Sequence, residues 1–221
     1  MPNWCFSTFN FHGCEDEIKD FSEKLAEWTS KEFVKTDFGK SWLGNVLYGL
    51  GLGDYTNTES PNFTKCRGLI DDIGDVLLNG NDSYFDVYTT SAWEPAAKVW
   101  KVAIEKLGYK TITVSYFGEE SMNEYYVKYD PLDYFLTDWV VEGDYVCSDS
   151  ELPSGYNFLI FEDSYFIEKE LAAAICKFLH LDKKYMDEGV TKLITWIPDE
   201  VLEHICFCKV ENLSKQDAFE L

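Results

Sequence analysis

The run YFDVYTTSAWEPAAKVWKVAIEKLGYKTITVSYFGEESMNEYYVKYD, Tyr84 to Asp130, reads as strand, turn, helix, strand, strand. Tyr84 to Thr90 concentrates β-branched and aromatic residues. Phe85 and Val87 fall on one face and Tyr84, Asp86 and Tyr88 on the other, the period of a half-buried strand. Trp93-Glu94-Pro95 comes next, and because proline fixes φ near the helical value and has no amide to donate, a helix is expected to begin there. Ala96, Val99, Trp100, Ala103, Ile104 and Leu107 give that helix one apolar stripe, and Gly108 suits its left-handed cap. Lys110 to Phe117 alternates again, with Tyr125 to Tyr129 as its expected hairpin partner. A β-α-β-β run is half of a ferredoxin-like sandwich, so the expected class is α+β, an antiparallel sheet with helices packed on one face.

Outward from that run, Asn3 to Gly13 alternates as a strand, with Cys5, Ser7, Phe9 and Phe11 on one side and Trp4, Phe6 and Thr8 on the other. Glu15 to Ser30 sets Ile18, Phe21, Leu25 and Trp28 on one helical stripe behind an acidic first turn. A short helix is expected at Trp42 to Leu50 and irregular chain from 51 to 65. Cys66 to Asn79 is open between helix and strand. Ser164 to Leu179, Lys183 to Trp196 and Asp199 to Cys208 read as helices, which predicts a helical carboxy-terminal extension. The whole is expected to be one compact unit with lobes at 1–145 and 146–221.

Forty acidic residues stand against 19 basic ones, a net charge of −21, and Arg67 is the sole arginine. Proteins that bind nucleic acid set Lys and Arg against phosphates, so this balance excludes direct binding of DNA or RNA, and it disfavours an anionic membrane surface. It favours a partner with a basic face. Seven cysteines form no even framework, and the amino terminus has neither a basic nor an apolar signal region, which points to reduced thiols and a cytoplasmic site.

Between Gly118 and Leu171 there are 14 acidic residues and two basic ones, with aromatics threaded through them. Carboxylates on rigid strands can imitate the phosphate spacing of a nucleic acid, and aromatic rings supply hot-spot burial. The candidate partner-binding residues are Glu119, Glu120, Glu124, Asp130, Asp133, Asp138, Glu142, Asp144, Tyr125, Tyr134 and Trp139. The plain alternative is solubilising charge on the outer face of a sheet. Nothing points to a cofactor, a metal or a catalytic group. His12, His180 and His204 share no ligand motif, and a helix at 199–208 would place His204 and Cys208 on one face and Cys206 on another. Cys5 is turned away from His12 by strand alternation. Gly49-Leu50-Gly51-Leu52-Gly53 lacks the Lys-Ser or Lys-Thr of a phosphate loop and reads as a turn after a short helix.

Pro2-Asn3-Trp4-Cys5 leading into a strand that ends at Gly13, together with an aromatic strand running into Trp93-Glu94-Pro95 and a helix, resembles the YubB-like family of phage and plasmid proteins over residues 1–13 and 84–130. The resemblance implies a ferredoxin-like fold and a mobile-element origin, and it carries over no catalytic residue. The expected function is that of a non-enzymatic phage or mobile-element protein in a bacterial cytoplasm, whose acidic face occupies the basic, nucleic-acid-binding surface of a host protein such as a defence nuclease or a CRISPR effector. The alternatives are a small-ligand-binding protein or enzyme with a pocket between the sheet and the carboxy-terminal helices, lined by Trp93, Trp100 and Trp139, and a subunit of a larger assembly.

Overall fold

The computed structural model describes residues 3–79, 82–143, 165–203 and 205–220. The chain divides into two units, one of residues 1–135 and 212–221 and the other of residues 136–211.

The first unit opens with β1 (Trp4–Cys14) and α1 (Glu15–Thr29), followed by α2 (Gly44–Gly49), β2 (Gly68–Ile73), β3 (Leu77–Asn79), β4 (Asp82–Ala92), α3 (Ala97–Leu107), β5 (Thr113–Glu120) and β6 (Tyr125–Tyr129). The strands lie in the order β6-β5-β1-β4-β2, with β3 also on β4. The pairings β5·β6, β1·β5, β1·β4, β2·β4 and β3·β4 are antiparallel. In register, Phe9 faces Val87 and Tyr116, and Phe11 faces Phe85 and Val114, so one sheet face collects the apolar side chains. Ile18, Phe21, Leu25 and Trp28 of α1, Val46 and Leu47 of α2, and Val99, Trp100 and Ala103 of α3 complete this core. Its centre is aromatic. Phe11 stacks on Phe85 at 5.2 Å and meets Trp100 edge-on at 5.4 Å, and Phe9 lies 5.6 Å from Trp100. Fully burying one such side chain is worth about 1.5–3 kcal/mol, so the alternation seen in the sequence is also what holds the unit together.

Two local features fix the helices. Glu17, in the acidic first turn of α1, accepts hydrogen bonds from the amides of Lys110 and Thr111 and from the Thr111 hydroxyl, which ties the helix to the loop before β5. Gly108 caps α3 at φ +76°, as its position suggests. The start of α3 differs from expectation. Pro95 does not open the helix, because Trp93 takes φ +69° and the helix begins at Ala97. Cys66 to Asn79 resolves to strands, and β2 carries an irregularity between Ile70 and Asp72.

The second unit contains β7 (Trp139–Gly143), β8 (Tyr165–Phe166), α4 (Glu168–Phe178), α5 (Val190–Ile194), α6 (Asp199–Leu202) and β9 (Ile205–Lys209), with strand order β8-β7-β9. Leu171, Ile175, Phe178, Val190, Leu193 and Trp139 form its separate core. The expected helical carboxy-terminal extension is therefore corrected. The helix read at 199–208 stops at Leu202, and Ile205–Lys209 is a strand paired with β7, Cys208 opposite Val140 and Cys206 opposite Glu142. A short apolar run has too few residues for its period to separate helix from strand, and pairing with β7 decides the matter. The chain then returns to the first unit, where Leu213 donates to the Lys128 carbonyl and α7 (Lys215–Glu220) packs Phe219 against Tyr129 at 5.3 Å. Among the described residues no helix is long and apolar enough to cross a membrane.

Candidate partner-binding face

The sheet face turned away from α1, α2 and α3 carries the remaining alternate residues: Trp4, Phe6, Thr8, Asn10 and His12 of β1, Tyr84, Asp86, Tyr88 and Thr90 of β4, and Phe117 and Glu119 of β5. Its charge is one-sided. Strands β1 to β5 contain no lysine or arginine, and Lys128 of β6 is buried, its Nζ donating to the Phe135 carbonyl. Asp71, Asp72 and Asp82 are exposed on the same strands, and Glu119 and Asp86 are half-buried.

One half of this face is covered by the segment after β6. Asp130 folds it into a turn by accepting the amides of Tyr134 at 2.9 Å and Phe135 at 2.6 Å. Tyr134 then packs on Tyr84 and donates its hydroxyl to Asp86 at 3.0 Å, while Asn10 donates to the other oxygen of the same carboxylate at 2.9 Å. Partial burial and the Asp86 charge push the Tyr134 phenol well above its ordinary range. Phe135 lies over Phe117 at 6.2 Å. The other half is open. There Phe6 is 54% exposed, Tyr88 42% and Trp4 36%. Register places Phe6 between Thr90 and Glu119, and Tyr88 between Thr8 and Asp72. Asp71 accepts the Thr90 hydroxyl at 2.8 Å, which holds a carboxylate beside the aromatics. An exposed apolar centre with an acidic rim has the anatomy of an interface, in which rings bury area and rim charges steer approach and select the partner.

The residues expected from the sequence are distributed differently. Glu119 lies on the open face. Glu120 points to the core side, 2% exposed, and accepts from Asn123 Nδ2. Tyr125 is half-buried against the core. Glu124 and Asp133 are exposed at left-handed turn positions, φ +53° and +52°. Asp130 and Tyr134 hold the covering segment. Asp138, Trp139 and Glu142 belong to the second unit, where Asp138 accepts the Glu168 amide at 3.0 Å and caps α4, and Trp139 is core, its indole donating to Glu168. Glu142 is half-buried in β7, and Asp144 lies outside the described residues. Trp4, Phe6, Tyr88, Asp71 and Asp72 were missed by sequence reasoning. The signal that could have found three of them is present: in β1 and β4, Trp4, Phe6 and Tyr88 occupy the face opposite the core, where threonine and asparagine are the natural residents.

Other chemistry gains little from the geometry. Burial pushes the thiols of Cys5 and Cys66 up to about 12, so neither is a thiolate at neutral pH. His12 lies 3.9 Å from Asp82 on the outer face, away from Cys5. Cys206 and Cys208, expected on different faces of a helix, share one face of β9 with their Sγ atoms 3.2 Å apart, and His204 lies outside the described residues. Gly51 turns at φ +74° two residues after α2 ends. Of the tryptophans expected to line one pocket, Trp100 is at the centre of the first core and Trp139 is in the second. No protein-family model, curated protein or solved structure matches the chain.

Proposed function

We propose that this protein is a non-enzymatic interaction module whose open, acidic and aromatic sheet face binds a cationic surface of a partner protein. The observation that carries the reading is Phe6, more than half exposed in the middle of a sheet whose first five strands hold no basic side chain. Leaving such a ring in water forfeits burial that a partner would supply. The overall charge of −21 extends attraction to basic partners beyond contact distance. In its concrete form the partner is a host nucleic-acid-binding protein, such as a defence nuclease or a CRISPR effector, blocked by a mobile-element product. The YubB-like resemblance at Pro2–Cys5 and Trp93–Pro95 supports that origin. The ferredoxin-like reading of the fold belongs to the same proposal. It is supported by the antiparallel order β5-β1-β4-β2, with α1 and α3 leading to β2 and β5 and packing on one face.

The test is capture from bacterial lysate at low salt with three proteins: the natural chain, Phe6→Ser with Tyr88→Ser, and Glu32→Gln with Glu59→Gln as a charge change elsewhere on the exposed surface. A basic partner retained by the first and third and lost by the second, and released by roughly 0.5 M salt, supports the reading, since exposed pairs are screened at that ionic strength. A partner that the second protein holds equally well, or that stays bound at high salt, refutes it.

A further inference from the structure

A second site lies in the first unit, where residues 35–38, 42, 56, 58, 63, 65–67 and 91–96 line an open cleft of about 930 Å³. That is at the upper end of the roughly 300–1,000 Å³ typical of small-molecule sites. Its walls are aromatic, from Phe38, Trp42, Phe63 and Trp93, and the Trp42 indole is fixed by donating to the Cys66 carbonyl at 2.9 Å. Its charge runs against the rest of the molecule. Lys35, Lys65 and Arg67 line it against Asp37 and Glu94, and Lys65 is paired with Glu94. The sole arginine of a chain with 40 acidic residues is thus placed here, its guanidinium 5.5 Å from the centre of the Trp93 ring.

Trp93 is held in a conformation that a bulky side chain rarely adopts. At φ +69° it is kept in place by its own amide donating to the Asn3 carbonyl, by the Ala92 amide donating to the Arg67 carbonyl, and by the Ser91 hydroxyl donating to the Glu94 carbonyl. Nothing in core packing needs that strain, because the ring is 56% exposed at the mouth of the cleft. Strain of this kind, fixed by surrounding bonds at a cleft, marks functional positions. A guanidinium resting on an indole is oriented while its N–H edge stays open to the paired oxygens of a carboxylate or phosphate.

We infer that this cleft binds a small aromatic anion, its flat ring among Trp42, Phe38, Phe63 and Trp93 and its terminal carboxylate or phosphate on Arg67, with Lys35 adding to the local positive potential. The surrounding acidic field disfavours highly charged anions, so the ligand carries one or two negative charges. Trp4 of the open sheet face lies edge-on to Phe38 at 6.2 Å, but neither Phe6 nor Tyr88 lines the cleft, so the Phe6→Ser, Tyr88→Ser protein should retain this site.

The experiment is thermal unfolding and tryptophan fluorescence of the full chain with millimolar adenosine monophosphate, indole-3-acetate, adenosine or inorganic phosphate. A rise in Tm of about 3 °C or more with the nucleotide or the indole acid, but not with adenosine or phosphate alone, is expected for a ligand well above its Kd. Which of the two aromatic anions gives the larger rise distinguishes phosphate from carboxylate. Arg67→Gln, a change at an exposed side chain, should abolish the rise. Trp93→Gly, which accommodates the left-handed backbone, should fold and also abolish it. The inference is overturned if neither aromatic anion has an effect, if adenosine matches its monophosphate, or if Arg67→Gln responds like the natural protein.

Discussion

Replacing Tyr116 by phenylalanine should make the protein less stable at neutral pH and more stable at strongly alkaline pH. Tyr116 is fully buried in β5, and its hydroxyl donates at 2.9 Å to the carbonyl of Ala218 in α7, the last helix of the chain. Removing the hydroxyl costs one buried hydrogen bond and leaves that carbonyl without this donor, about 1.5 kcal/mol at pH 7. Burial pushes the Tyr116 phenol far above its ordinary range. The unfolded chain ionises this residue at about pH 10 and the folded chain does not, so above that pH the folded state holds one more proton than the unfolded state. Unfolding free energy then falls by about 1.36 kcal/mol per pH unit through this residue, and a phenylalanine in its place has no proton to lose and escapes that fall. Dividing the neutral deficit by that slope puts the crossing at about pH 11. Tyr109 and Tyr134, whose phenols are also raised, are present in both proteins and cancel in the comparison. Denaturant unfolding followed by tryptophan fluorescence at several pH values between about 7 and 11.5 measures the difference directly. A stability gap that stays constant across that whole range would refute the reasoning, since it would mean that the phenol ionises alike in both states.

Three further outcomes follow from the geometry. Gly68→Ala should destabilise the first unit by about 1–3 kcal/mol in the same assay, because a Cβ there would sit 2.3 Å from the Thr90 carbonyl oxygen and 2.7 Å from the Ser91 Cα, both backbone atoms that cannot swing aside. Cys5 and Cys66 should resist iodoacetamide at about pH 8 in the folded protein and react once it is unfolded, as peptide mass mapping would reveal; fast labelling of the folded form would contradict their burial. Glu17→Gln should cost about 1 kcal/mol at pH 7 after allowance for solvent screening. The Thr111 hydroxyl and the Lys110 and Thr111 amides hold the Glu17 carboxyl below its usual range, so this advantage should shrink as pH falls through about 4 and below, when the carboxyl protonates.

The centre of the first unit, β1, β4 and β5 with α1 and α3, was legible from sequence because these elements are long and the two sheet faces differ in chemistry. Eleven-residue β1 and β4 alternate through enough periods to fix which side is core, and Cys5, Phe9, Phe11, Phe85 and Val87 are buried on the side their spacing indicates. The helices α1 and α3 were visible for the same reason, each having several turns of one apolar stripe. The charge imbalance was likewise a property of the chain itself. Elements of five residues or fewer lacked that redundancy, although Tyr125–Tyr129 was placed by its position as the hairpin partner of β5. Ile205–Lys209 became a strand only by pairing with the distant Trp139–Gly143, and the helix read from Asp199 ends at Leu202. Trp93 shows the same limit at one residue, since Pro95 favours a helix start locally but bonds to Asn3 and from Ser91 hold the backbone in another state.

The carboxylates between Glu119 and Glu142 could be counted in the sequence, but not sorted. Strand alternation puts Glu120 on the face of Val114 and Tyr116, and Asp130 binds amides only four and five residues further on, but contacts distant in sequence set Asp138 to capping the Glu168 amide and left Glu119 on a face with Asp71 and Asp72, whose strand lies three positions away across the sheet. Composition and periodicity are sums over neighbours along the chain, so they determined the charge, the core and the long elements. Which polar or aromatic side chains remain exposed together depends on pairings between distant segments, and that was decided only when the sheet assembled.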